Sequence, residues 1–167
     1  MAEAGTRLTQ VFKRDALIAR LHARDKEGVL QEMMTRLSER GAFDTKQMNS
    51  VIKALQKREE RGSTAIGKGL AVPHGEHAAV ERLVGAVGLS PDGIEFNSLD
   101  GQPVHAVFLV LSPSDAHDEH IQILRRITEL MRDEDLCRFL KQCKDEKAMA
   151  ELLQEADEKL SRGPRGS

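Results

Sequence analysis

The run "HAVFLVLSP", residues 105–113, is apolar at successive positions. A strand points alternate side chains to opposite faces. An edge or half-exposed strand would therefore alternate apolar with polar, and this one does not. Such a run belongs at the centre of a sheet that is covered on both sides. Most of the rest of the chain supplies helices for those two layers. In "KEGVLQEMMTRLSERG", Val29, Leu30, Met33, Met34 and Leu37 recur at helical spacing. Asp25 precedes it as an N-terminal cap, and Gly41 is placed to end it. "DTKQMNSVIKALQKREE" opens with Asp44 and Gln47 spaced as a capping box, and Met48, Val51, Ile52 and Leu55 form one stripe. "SDAHDEHIQILRRITELMRD" predicts a strong helix, capped by Ser114 or Asp115. His120, Ile123, Leu124, Ile127, Leu130 and Met131 share its apolar face. "EDLCRFLKQC" and "DEKAMAELLQEADEKL" follow as two further helices. Short strands are predicted over "ALIARLHA" (16–23) and "RLVGAVGLS" (82–90), with a turn in "LDGQP". The expected fold is a single α/β domain: a layered sandwich with a mixed central sheet flanked by helices.

Bulk properties narrow the class. The 167 residues suit one domain, whose size peaks near roughly 100–150 residues. Residues 1–160 are taken as that domain. "SRGPRGS", 161–167, is taken as a disordered tail or a cloning scar. With no Trp and no Tyr, the core must be aliphatic, helped by five Phe and six Met. A net charge of −2 argues against a nucleic-acid partner, because such binding rests on neutralising phosphates. No run approaches a membrane span and the N-terminus lacks a signal-like apolar stretch, so no membrane insertion is expected. Cys137 and Cys143 are both placed in helical segments, which fits a reducing cytoplasm better than a disulfide framework.

The stretch "STAIGKGLAVPHGEH", 63–77, concentrates residues that fix a backbone. Proline pushes Val72 toward extended geometry and locks its own φ. Gly75 would then let the chain turn sharply, giving a strand that ends on His74 with room beside its ring. A neutral imidazole has a bare nitrogen lone pair and needs no separate base to act as a nucleophile. The alternative is a satisfied, half-buried histidine in a turn. In "SPSDAHDEHIQ", His120 lies in the first turns of its helix, where unpaired N–H groups attract anions. It could donate to a phosphoryl oxygen, or be a core-edge histidine bonded to backbone. Arg58, in "KREERGST", could fork onto phosphate or be one more solvated helix-end charge. A rival grouping is metal. His74 with His77, and His117 with His120, are two H-x-x-H pairs with Glu76 and Asp118 nearby. Neither has the metalloprotease spacing, and no cysteine is close.

In "REERGSTAIGKGLAVPHG" followed by "LDGQPVHAVFLVLSPSDAHDEHIQIL", the chain resembles the type-2 enzyme IIA domains of the bacterial phosphoenolpyruvate:sugar phosphotransferase system, the fructose, mannitol and nitrogen-regulatory group. The resemblance runs over about residues 8–155. It implies a phosphoryl carrier in the cytoplasm, charged by an HPr-like phosphocarrier protein and passing the group to a IIB domain or a regulatory target. It implies that His74 is the phosphoryl acceptor, His120 the second active-site histidine and Arg58 the active-site arginine. No cofactor and no metal enter that scheme, and His77 and His117 receive no role. A shallow apolar rim of Ile66, Leu70 and Val72 is expected to receive the donor. With no IIB or IIC segment attached, the chain looks most like the nitrogen-regulatory, PtsN-like subgroup. A separate sugar-specific IIA subunit is the alternative within the family. A metal-binding or non-catalytic interaction module is the alternative outside it.

Overall fold

The computed structural model describes residues 6–65 and 67–161. Among them are six α-helices: α1 (Leu8–Val11), α2 (Lys26–Glu39), α3 (Met48–Glu60), α4 (His117–Arg132), α5 (Glu134–Lys141) and α6 (Glu146–Ser161). The strands are β1 (Leu17–Ile18), β2 (Leu70–Ala71), β3 (His74–Glu76), β4 (Val84–Ile94) and β5 (Val104–Ser112).

The sheet order is β1-β4-β5-β2, with β3 also pairing with β5. β4 and β5 are antiparallel, whereas β1 runs parallel to β4 and both β2 and β3 run parallel to β5, so the sheet is mixed. As its composition demands, β5 is buried on both faces. Val107, Leu109 and Leu111 join the core under α2 and α3. Ala106, Phe108 and Val110 join the core under α1, α4, α5 and α6. The expected α/β sandwich is the observed fold.

Several local expectations are corrected. β1 covers only Leu17–Ile18, not 16–23, because Arg14–Ala16 forms a 3₁₀ turn and the chain leaves the ladder after Ile18. Leu21 then lies over Gly88, where a Cβ would come within 2.7 Å of the leucine side chain. Asp25 does cap α2, accepting from the Gly28 N–H at 2.7 Å. Asp44 instead caps a 3₁₀ turn through the Lys46 N–H, and Gln47 precedes α3 without a side-chain cap, so no capping box forms. Neither Ser114 nor Asp115 caps α4; Ala116 holds that position after a turn closed by its own N–H on the Pro113 carbonyl. Within the expected tail, Ser161 is still part of α6, and 162–167 lie outside the described residues.

The strand into His74 also differs from expectation. β2 and β3 are two pieces of one edge strand along β5, with Leu70 opposite Ala106 and His74 opposite Val110. Pro73 has no N–H to give the ladder, so pairing breaks there and resumes at His74. His74 thus begins a strand piece. Gly75 is no turn residue. A Cβ on it would meet Leu55 Cδ2 at 3.5 Å and the Ala54–Leu55 backbone at 3.7 Å. Those are ordinary contact distances, and they mark where α3 packs against β3. The left-handed positions are earlier, at Gly67 (φ 138°), Lys68 (φ 61°) and Gly69 (φ 73°).

Candidate functional site

That packing sets the last turn of α3 above the start of β3. The end of β5 and the first turns of α4 complete the same corner. A pocket of about 370 Å³ opens there, lined by Ala54, Lys57, Arg58, Arg61, His74, Gly75, Glu76 and His120. Arg58, His74 and His120, far apart in sequence, all face it.

His74 is half-buried. Its Nδ1 lies 2.7 Å from the Val72 carbonyl oxygen. A carbonyl only accepts, so Nδ1 carries the proton and Nε2 of the neutral ring is bare. Pro73 makes this contact possible by holding the chain extended between the two residues. Burial is the main influence on the ring and draws its pKa below the ordinary value; the Val72 carbonyl pushes it back up, and the Arg58 charge lowers it further. His74 is therefore a neutral imidazole near neutral pH.

The His120 ring centroid is 5.4 Å from that of His74, with the planes tilted by 55°. His120 is buried, on the α4 face that packs against the sheet. Its Nδ1 is hydrogen-bonded to the Ser112 hydroxyl at the end of β5. Burial, and then the neighbouring His74, lower its pKa too.

Arg58 is steadied by donating from Nη1 to the Gly62 carbonyl at 2.9 Å. The loop it leans on is itself anchored. Buried Glu59 accepts from the Thr64 N–H and Thr64 hydroxyl, each at 2.9 Å, and pairs with Lys26 at 2.9 Å. Lys57 and Arg61 add two cations to the same rim, and sequence reasoning missed both. "KREER" held the signal: residues four apart share a helix face, and the glycine after them ends the helix at the pocket. The sequence marks Glu76 only as a possible metal ligand. It lines the pocket and accepts from His117 Nδ1 at 3.1 Å. Nothing in the sequence marks Ser112.

The two H-x-x-H pairs do not gather as one set of four: His74 and His120 come together, while His77 and His117 turn to other partners. His77 Nδ1 accepts from the Ala79 N–H at 2.9 Å, so Nε2 carries the proton toward Ser50 Oγ at 2.8 Å. His77 lines a separate groove with residues 41–44. Among the described residues, no three His, Cys, Asp or Glu side chains gather as a metal site. The expected apolar rim is also corrected. Leu70 is fully buried in the core under α4–α6, Val72 is half-buried against that core, and Ile66 lies outside the described residues. Ile121, which follows His120 in the chain, is an exposed apolar residue.

The family model described as "Phosphoenolpyruvate-dependent sugar phosphotransferase system, EIIA 2" matches residues 10–156. The chain belongs to this EIIA 2 family. Among relatives, it is 34% identical over 146 residues to a nitrogen regulatory protein of Bradyrhizobium diazoefficiens, covering 87% of this chain and 94% of that protein. It is 31% identical over 151 residues to the fructose-specific EIIABC component of Bacillus subtilis, covering 90% of this chain but only 24% of that much longer protein. The crystal structure of the nitrogen regulatory protein IIA-Ntr from Neisseria meningitidis superposes with a TM-score of 0.79 at 24% identity, covering 87% of this chain and 98% of that one. That likeness establishes the EIIA fold. No helix among the described residues is long and apolar enough to cross a membrane.

Proposed function

We propose that this EIIA 2 chain is a cytoplasmic phosphoryl carrier that accepts its phosphoryl group on His74 Nε2 from an HPr-like protein. One observation carries the reading: the Val72 carbonyl fixes the proton on Nδ1, leaving the bare Nε2 in a pocket shared with His120 and Arg58. The Nε2 lone pair attacks the phosphorus of the donor's phosphohistidine. The Nε2–P bond forms as the donor's P–N bond breaks, and that bonding pair returns to the donor ring. The Nδ1 proton stays in place. The positive charge gained by the His74 ring meets the Val72 carbonyl, with Glu76 nearby. Arg58 lies at the phosphoryl oxygens, with Lys57 and Arg61 flanking, where charge spreads in the transition state. His120 supplies a neutral hydrogen bond.

The 34% identity that extends over 94% of a nitrogen regulatory protein supports a regulatory role for the carrier. The match to a fructose-specific EIIABC component supports the second reading, delivery to a sugar-specific IIB domain. Incubation with phosphoenolpyruvate, enzyme I and an HPr-like protein should add one phosphoryl group by intact mass. His74→Ala should abolish it. Labelling that persists in His74→Ala defeats the assignment. Transfer onward to an added IIB domain would select the sugar reading.

A further inference from the structure

We propose that Ser112 is a positioning residue that fixes His120 as the Nε2–H tautomer, so that it faces the pocket as a hydrogen-bond donor. This goes beyond the carrier reading and rests on it only for its effect on rate. Ser112 is fully buried at the end of β5, opposite Glu76 in the ladder. Its carbonyl is already engaged by the His77 N–H at 3.0 Å. Among the described residues, the only hydrogen-bond partner of its hydroxyl is His120 Nδ1. A buried hydroxyl has one proton to donate, and leaving it unpaired is costly. That proton therefore goes to Nδ1, which must be the bare nitrogen, and the ring proton sits on Nε2. Nε2 has no protein partner among the described residues, and the ring lines the pocket beside His74.

The consequence is a division of roles between two rings of one residue type. The carbonyl on His74 forces Nδ1–H and a nucleophilic Nε2. The hydroxyl on His120 forces a bare Nδ1 and a donating Nε2. Had His120 taken the other tautomer, two bare nitrogens would face an incoming anion.

Long-range ¹H–¹⁵N spectra of the unphosphorylated chain, labelled with ¹⁵N-histidine and assigned with His120→Gln, read the tautomer directly. The expected result is Nε2–H for His120. In Ser112→Ala, that preference should weaken, and phosphoryl transfer should slow about tenfold, the equivalent of one hydrogen bond, with KM for the donor unchanged. Ser112→Cys, close in size with a weak donor, should recover part of both. A purely packing role would lower stability in Ser112→Ala and leave the tautomer alone. An Nδ1–H signal for His120 in the parent chain overturns the proposal, as does Ser112→Ala keeping both the Nε2–H form and the parental rate. If the parent chain takes up no phosphoryl group, the carrier reading fails, and the spectrum still decides the tautomer.

Discussion

His74 and His120 face one another, yet they are held in different ways. His74 sits on a strand piece, and its Nδ1 is claimed by a backbone carbonyl two residues back. His120 sits on a helix, and its Nδ1 is claimed by a side chain on a different element. The first anchor is local and cannot be removed by mutation. The second is tertiary and is removed by one substitution. A site that needs one nucleophile and one donor can thus build both from the same residue type, provided each second nitrogen meets the right partner. In the proposed carrier, the local anchor would serve the ring that reacts and the long-range anchor the ring that assists.

The sharpest way to break this comparison is to truncate each ring. His74→Ala should lose phosphoryl uptake completely. His120→Ala should keep it at a rate reduced roughly 100-fold, the usual cost of deleting one preorganised donor. Equal loss in both, measured by time-resolved intact mass, would mean that the rings are not divided as described. Arg58 comes next. Arg58→Lys keeps the charge but loses the fork and the bond to the Gly62 carbonyl. Its rate should fall about tenfold, and Arg58→Ala should fall further. A Lys variant at the parental rate would reduce Arg58 to a point charge, interchangeable with Lys57 and Arg61.

The same contrast between local and tertiary explains what could be seen in the sequence. Both-face burial of β5 was visible because its composition alone forbids an exposed face. The Asp25 cap was visible because it acts across three residues. Placing Arg58, His74 and His120 in one pocket took the resemblance to a known family, since spacing along the chain does not encode it. Gly75 reads as a turn residue because proline and glycine together mark turns, yet it lies inside β3, opposite Leu111 in a ladder that the local sequence does not reveal. Leu70 looked like a rim residue, but helices α4–α6 cover it. Ser112 could not be found from sequence at all, because a serine at a strand end reads as ordinary punctuation until α4 folds back over it.

Acid stability tests the two anchors together. Burial lowers both imidazole pKa values from the ordinary 6.5. On unfolding, each ring returns to that value, so as pH falls the unfolded chain binds these protons first. The stability contribution is whole above 6.5 and is lost as pH drops through 6.5 toward the folded values. Urea midpoints should therefore decline between about pH 7.5 and about pH 5.5, and the decline should be shallower in the His74→Ala, His120→Ala double variant. An identical slope in parent and double variant would show that neither ring is desolvated in solution. Phosphoryl uptake should persist somewhat below pH 6.5 and fall off as His74 itself becomes protonated.

The smallest effect concerns a side-chain bridge between the strand that carries His74 and the helix that carries His120. His117, on the first turn of α4, meets Glu76 at the end of β3 at 3.1 Å. The histidine side chain is 70% exposed, so the pair is open to solvent and contributes little. If the relative placement of the two rings is set by burial of α4 on the sheet and by Ser112, then breaking this bridge should not disturb it. His117→Ala should change the transfer rate by no more than about twofold. It should leave the His120 tautomer untouched and barely move the urea midpoint. A tenfold loss in His117→Ala would move part of the positioning out of the buried core and onto the pocket mouth, and Glu76 would then have to be counted among the groups that hold the two histidines in register.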